Sequence, residues 1–187
     1  MASMVQSHNN CSLYLYPEVS EFDAGKLDSL ISTLRSIELM AQPVEQQENH
    51  YFPGNKYLEH IAYMGCAPNI QFEPSATSEK FCCIKIHHHE PAKLIHSQVQ
   101  AKAPLCPCCQ KPVKNWQPDK TETSILCDLC ETRSNIEDFN WRKMAGYSQL
   151  FIEITDIFPK EAIPQQSLLD QLSDHTGMRW QYFYSCH

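Results

Sequence analysis

Cys106-Pro107-Cys108-Cys109 and, further on, Cys127-Asp128-Leu129-Cys130 form the stretch of this sequence that organises the rest. Pairing Cys106 with Cys109 gives C-x2-C-x17-C-x2-C, a spacing inside the range of four-cysteine metal sites. Two residues between cysteines let a tight turn aim both sulfurs at one ion. The 17 residues between the pairs suffice for a hairpin that brings the second turn opposite the first. Residues 111–117 and 123–126 are its expected strands, with Pro118-Asp119-Lys120 at the bend. Four thiolates with no open position point to a structural Zn2+ rather than a catalytic one, with iron or no metal as the alternatives. Such a site supplies binding energy on the order of 10 kcal/mol to a unit with little core of its own. Cys108 offers a competing register. The turn through Cys109 is the better chelate, and the choice between the two stays open at this level.

The residues Cys106, Pro107 and Cys109 in the first knuckle and Cys127 and Cys130 in the second resemble a zinc ribbon. The resemblance covers residues 104–134. Zinc ribbons frequently carry Pro after the first cysteine, as Pro107 does, and Gly after the second, where this chain has Gln110. Met64-Gly65-Cys66-Ala67-Pro68 and the tail over residues 161–184 also resemble zinc-ribbon-containing bacterial proteins of uncharacterised function, a resemblance that carries no activity with it.

Two enzyme-like readings compete. Cys106 and Cys109 also look like the thiol pair of a glutaredoxin-type redox protein. That chemistry wants a low-pKa cysteine at a helix N-terminus. Pro112 disfavours a helix there, and the second cysteine pair is left unexplained. In the run Cys82-Cys83-Ile84-Lys85-Ile86-His87-His88-His89, a strand would put His87 and His89 on one face and His88 on the other. Joined by His96, they could hold a catalytic-type second metal; solvated imidazoles at a strand end are the plainer reading. Cys11, Cys66 and Cys186 stand alone and read as small buried hydrophobes. Carboxylates such as Glu137-Asp138 and Glu153 with Asp156 read as solvated surface.

The 187 residues are 42% hydrophobic and 20% charged, a globular balance that excludes a disordered chain. Residues 1–10 carry neither a basic start nor an apolar stretch, so no secretory signal is expected and ten cysteines read as thiols and ligands of a cytoplasmic protein. No apolar run reaches the roughly 20 residues of a membrane helix. The net charge of −7 divides into −7 over residues 1–79, +5 over 80–120 and −5 over 121–187. A basic surplus confined to the middle disfavours bulk nucleic-acid binding. Trp116 beside Lys114, and the aromatic tail Trp180, Tyr182, Phe183 and Tyr184, are the candidates for local base contact. A protein partner is the favoured expectation.

Outward from the cysteines, the patterning predicts strands over 12–16, 37–40, 69–72, 80–88, 150–157 and 179–184. Helices are predicted over 24–36, capped by Asp23, over 55–64, ended by Gly65, and over 165–175, ended by Gly177. Residues 41–50 read as a loop and 73–79 as a hairpin turn. Residues 12–40 and 150–184 share the order strand, turn, helix, strand. The expected fold is α+β: strand-helix-strand units around a mixed or antiparallel sheet, with an inserted four-cysteine zinc ribbon. Residues 1–103 and 135–187 would form one domain and 104–134 the insert. The expected protein is a zinc-binding structural or interaction module more than an enzyme.

Overall fold

The computed structural model describes residues 11–64, 70–75, 80–99, 102–116, 123–158 and 161–186. Along the chain run β1 (Cys11–Pro17), α1 (Leu27–Ser36), β2 (Met40–Pro43), β3 (His50–Pro53), α2 (Tyr57–His60), β4 (Ile61–Tyr63) and β5 (Ile84–His96). They are followed by β6 (Ser124–Leu126), β7 (Arg133–Asn135), β8 (Ala145–Ile154), β9 (Ala162–Pro164), α3 (Gln166–Thr176) and β10 (Trp180–Cys186). A six-stranded sheet of order β10-β1-β8-β5-β3-β2 carries the fold, and each neighbouring pair is antiparallel. The architecture is α+β.

The period-two alternation in β1 explains its central place. Leu13 and Leu15 face the helical layer, where they pack with Leu30 and Leu34 of α1 and with Leu168, Leu169 and Leu172 of α3. Tyr14 and Tyr16 face the other way and form a second buried layer with Phe151 and Phe183. The Tyr14 and Phe183 rings stack at 5.0 Å between centroids. Asp23 caps the short 3-10 turn before α1 by accepting from the Gly25 amide at 2.9 Å. Gly177 ends α3 with a left-handed φ of 72°, the conformation its missing Cβ permits.

Several sequence expectations are corrected. Residues 55–64 are not one helix: α2 is a single turn, and Ile61–Tyr63 pair instead with Ala162–Pro164. Tertiary pairing outweighs the helical spacing there. The expected loop over 41–50 contains the end of β2 and the start of β3. Residues 70–72 form no strand, although the Gln71 carbonyl accepts from the Cys82 amide at 2.7 Å. β5 begins at Ile84 rather than residue 80 and runs on through Pro91 to His96, with a register shift against β8 between His88 and Lys93. β8 starts at Ala145, earlier than expected. The two strand-helix-strand stretches occupy unlike places, since β1 and β2 are separated by three strands and β8 and β10 by one. Gly65, Cys66, Asn69 and the bend Pro118-Asp119-Lys120 lie outside the described residues.

Cys11 and Cys186 are not isolated. They are cross-strand partners at the ends of β1 and β10, their Cα atoms are 4.1 Å apart, and they form a disulfide. Their 175-residue separation hid from the sequence what the strand register brings together.

Candidate metal centre

A second apolar cluster lies apart from the main core. Val113, Trp116, Ile125, Ile136, Phe139 and Trp141 surround the buried Cys106 and Cys127. Among the described residues, no strand pairing joins the expected strands over 111–117 and 123–126, and a different hairpin forms. β6 pairs with β7 across the second cysteine turn, and Leu105 bridges to Pro112 and Asn140. Trp141 donates its indole N–H to the Ile136 carbonyl at 3.0 Å, tying the segment after β7 to the same cluster.

The two cysteine turns are built alike. In the first, the Gln110 amide donates to the Cys106 carbonyl and the Cys106 amide to the Lys111 carbonyl, both at 3.0 Å. In the second, the Glu131 amide donates to Cys127 and the Cys127 amide to Thr132, both at 2.9 Å. Gln110 and Glu131 occupy equivalent positions with φ of 57° and 56°. This is the position where the resemblance to zinc ribbons calls for Gly at 110. The left-handed backbone explains the preference, since a Cβ is crowded there. Gln110→Gly and Glu131→Gly are each expected to stabilise the turn by roughly 0.5–1 kcal/mol. A rise in the thermal midpoint of the metal-loaded protein checks this. A fall would mean that the Gln110 side chain, whose amide donates to the Pro107 carbonyl at 3.0 Å, matters more than the backbone conformation.

The turns face each other. Cys106 Sγ lies 3.7 Å from Cys130 Sγ, and Cys109 Sγ lies 3.7 Å from Cys127 Sγ. All four sulfurs fall within 4.8 Å of one another. A tetrahedron with metal–sulfur bonds of about 2.3 Å has sulfur–sulfur edges of about 3.8 Å. Two edges match that value and the remaining ones are at most 4.8 Å, so the donor set fits a four-coordinate ion with only small shifts of the sulfurs. Cys108 is exposed and outside the set. Hydrogen bonds from the side chain and backbone of Thr132 hold the Cys130 thiol down at about 6. At Cys109 the Lys111 backbone amide favours the thiolate. Burial and the three neighbouring thiols outweigh it and push this group up to about 12. Four thiols this close compete for one negative charge until a cation lets all of them ionise. The glutaredoxin-type reading fares poorly here, because Cys106 and Cys109 each face a cysteine of the other turn and neither begins a helix.

The histidines do not gather as a ligand set among the described residues. His87 Nε2 is 2.7 Å from Glu153 Oε2, and the His89 ring lies parallel to the His87 ring at 6.0 Å. His88 points to the other face, against Phe22. His96 lies beyond the register shift and packs edge-on against Trp116 at 5.1 Å. The His87, His89 and His96 metal reading is thereby corrected. Trp116 is buried against His96 and Trp141, and Trp180 and Phe183 are core, so these rings are not free to stack on bases. Burial pushes the Cys82 thiol up to about 12 and raises Cys83, which makes both poor nucleophiles.

Glu153 is not the solvated surface carboxylate that its local sequence implies. It is 8% exposed, accepts from Ser12 Oγ at 2.7 Å, and faces His87 at the same distance. Burial alone would raise its pKa. Hydrogen bonds from His87 and Ser12, with the charge of Lys85, instead hold it at about 2. The signal was present as Glu153 inside an otherwise apolar strand, Leu150–Ile154, though only the neighbouring strands supply its partners.

The fold and the site together define an antiparallel α+β protein with a four-cysteine centre able to hold a metal ion. Comparisons with protein-family models, curated proteins and solved structures find no match to this chain. No helix among the described residues is long and apolar enough to cross a membrane.

Proposed function

We propose that this chain is a zinc protein whose ion is structural: Cys106, Cys109, Cys127 and Cys130 bind Zn2+ in a zinc ribbon inserted, at residues 104–134, into an α+β domain. The convergence of four sulfurs on one tetrahedral volume carries this reading. Zinc suits it because it has no geometric preference to violate and binds thiolates in closed sites. The ribbon acts as a docking module for a protein partner rather than for nucleic acid. Leu126 and Leu129 are 50% and 55% exposed beside the second cysteine turn, and Trp116, the one aromatic residue of the segment, is buried. The protein works in the cytoplasm. The Cys11–Cys186 bond is the feature that weighs against that location, since disulfides persist mainly in oxidising compartments.

Elemental mass spectrometry of the purified, reduced protein is the test of the centre. One zinc per chain is expected. Iron, or no metal with four reactive thiols, would overturn it. Fractionation of cells producing the tagged chain tests the location: recovery in the cytoplasmic fraction is expected, and recovery from an oxidising compartment would overturn it. A photo-crosslinker at Leu129 tests docking, and adducts with nucleic acid instead of protein would count against it.

A further inference from the structure

A cleft of about 760 Å3 lies where residues 137–143 pass the ends of β1 and β10. Its size falls in the small-molecule range of roughly 300–1,000 Å3. Tyr147 and Tyr182, both half-buried, contribute rings to its lining. Arg142 and Lys143 contribute two exposed cations.

The backbone that presents those cations is unusual. The Met144 amide donates to the Trp141 carbonyl at 3.0 Å, closing a turn whose two middle residues, Arg142 and Lys143, have φ of 52° and 57°. They are the only adjacent non-glycine residues with positive φ among the described residues. A turn with two left-handed central residues favours Asn-Gly, and long cationic side chains are poor choices for it. The conformation is held from both sides. Asn140 Oδ1 accepts from the Arg142 amide at 3.0 Å, and the Lys143 carbonyl accepts from the Tyr184 amide at 3.2 Å. Backbone strain retained around charged side chains at a cleft is a mark of function.

The charges are not used up internally. Arg142 forms no ion pair among the described residues. Lys143 Nζ donates to Tyr182 Oη at 2.7 Å and lies 4.1 Å from that ring's centroid, which leaves further ammonium protons for a ligand. On the acidic side, Glu18 is occupied by Gln181 at 2.7 Å and by Arg179 at 3.8 Å. Glu137 and Asp138 also line the cleft and repel a chain of phosphates.

We propose that this cleft binds a small, ring-bearing molecule with a single oxyanion group, a phosphate monoester or a carboxylate, with Arg142 and Lys143 holding the anionic oxygens and Tyr147 and Tyr182 packing on the ring. A guanidinium matches either oxyanion in bidentate fashion. The mixed charge of the lining selects one anionic group over a nucleic-acid strand.

Calorimetric titration of the full, metal-loaded chain with phenyl phosphate, benzoate, inorganic phosphate and an oligothymidylate tests the site. Saturable binding of phenyl phosphate or benzoate is expected, at least about tenfold tighter than inorganic phosphate, and the ranking of the first two identifies the anion. The R142N/K143G double variant gives the turn the sequence it favours. It is expected to raise the thermal midpoint while weakening binding by about tenfold or more, the worth of one charge-assisted hydrogen bond. Arg142→Gln, which keeps a long side chain, is expected to weaken binding without raising the midpoint. The proposal is overturned by absence of binding of either ring compound, by unchanged affinity in the double variant, or by an oligothymidylate that binds more tightly than both.

Discussion

A Cys127→Ser protein is expected to lose its metal and, with it, the ordered packing of the second apolar cluster. Cys127 is fully buried among Val113, Trp116, Ile125 and Trp141. A hydroxyl is a poor zinc ligand at neutral pH, so a closed four-thiolate site loses a corner. Much of the roughly 10 kcal/mol that such a site contributes goes with it. The six-stranded sheet has its own core and should survive. The expected result is therefore split: far-ultraviolet circular dichroism changes little, while Trp116 and Trp141 fluorescence shifts to the red and elemental analysis finds less than one metal per chain. Cys108→Ser is the control, because Cys108 is exposed and outside the sulfur cluster. It should keep its metal. Full metal occupancy in the Cys127→Ser protein, or metal loss in the Cys108→Ser protein, would sink the assignment of these ligands.

The second large effect is the acid sensitivity set by Glu153. Its carboxyl titrates at about 2 in the folded chain against an ordinary 4.5. A folded-state pKa below the unfolded one means that ionised Glu153 stabilises the fold. That contribution is complete above about pH 4.5 and is lost as pH falls through about 2. A depression of this size corresponds to roughly 3 kcal/mol. Glu153→Gln keeps the shape and removes the charge. It should lower stability at pH 7 and flatten the decline between pH 4.5 and 2, as measured by denaturant unfolding across that range. Parallel pH profiles for the two proteins would show that His87 and Ser12 do not hold the carboxylate as the geometry implies.

Much of the candidate site was legible because chelation is local. The C-x2-C spacing sets the bite of each turn, and a turn is decided within a few residues. The same holds for Asp23 before α1, for Gly177 after α3, and for the Leu-Tyr alternation of β1, each reporting backbone chemistry within one element. Long-range pairing was not legible. Ile61–Tyr63 carries helical spacing yet becomes a strand because Ala162–Pro164 lies beside it. His96 follows His87 and His89 closely in the chain, but the register shift between His88 and Lys93 carries it to Trp116. Glu153 looked like surface because nothing near it in the chain announces Ser12 and His87 on the flanking strands.

By itself, then, the sequence determined the α+β character, the two cysteine turns that can grip an ion, and the helical faces that cover one side of the sheet. These follow from spacing, periodicity and capping, which act over a handful of residues. Only the tertiary structure decided that the turns meet with sulfurs 3.7 Å apart, that Cys11 bonds Cys186, that Glu153 is buried and charged, and that Arg142 and Lys143 overhang a cleft. Each of these depends on strand order and register. A shift of one residue in register turns every side chain of a strand to the opposite face, so no reading of a single segment can supply them.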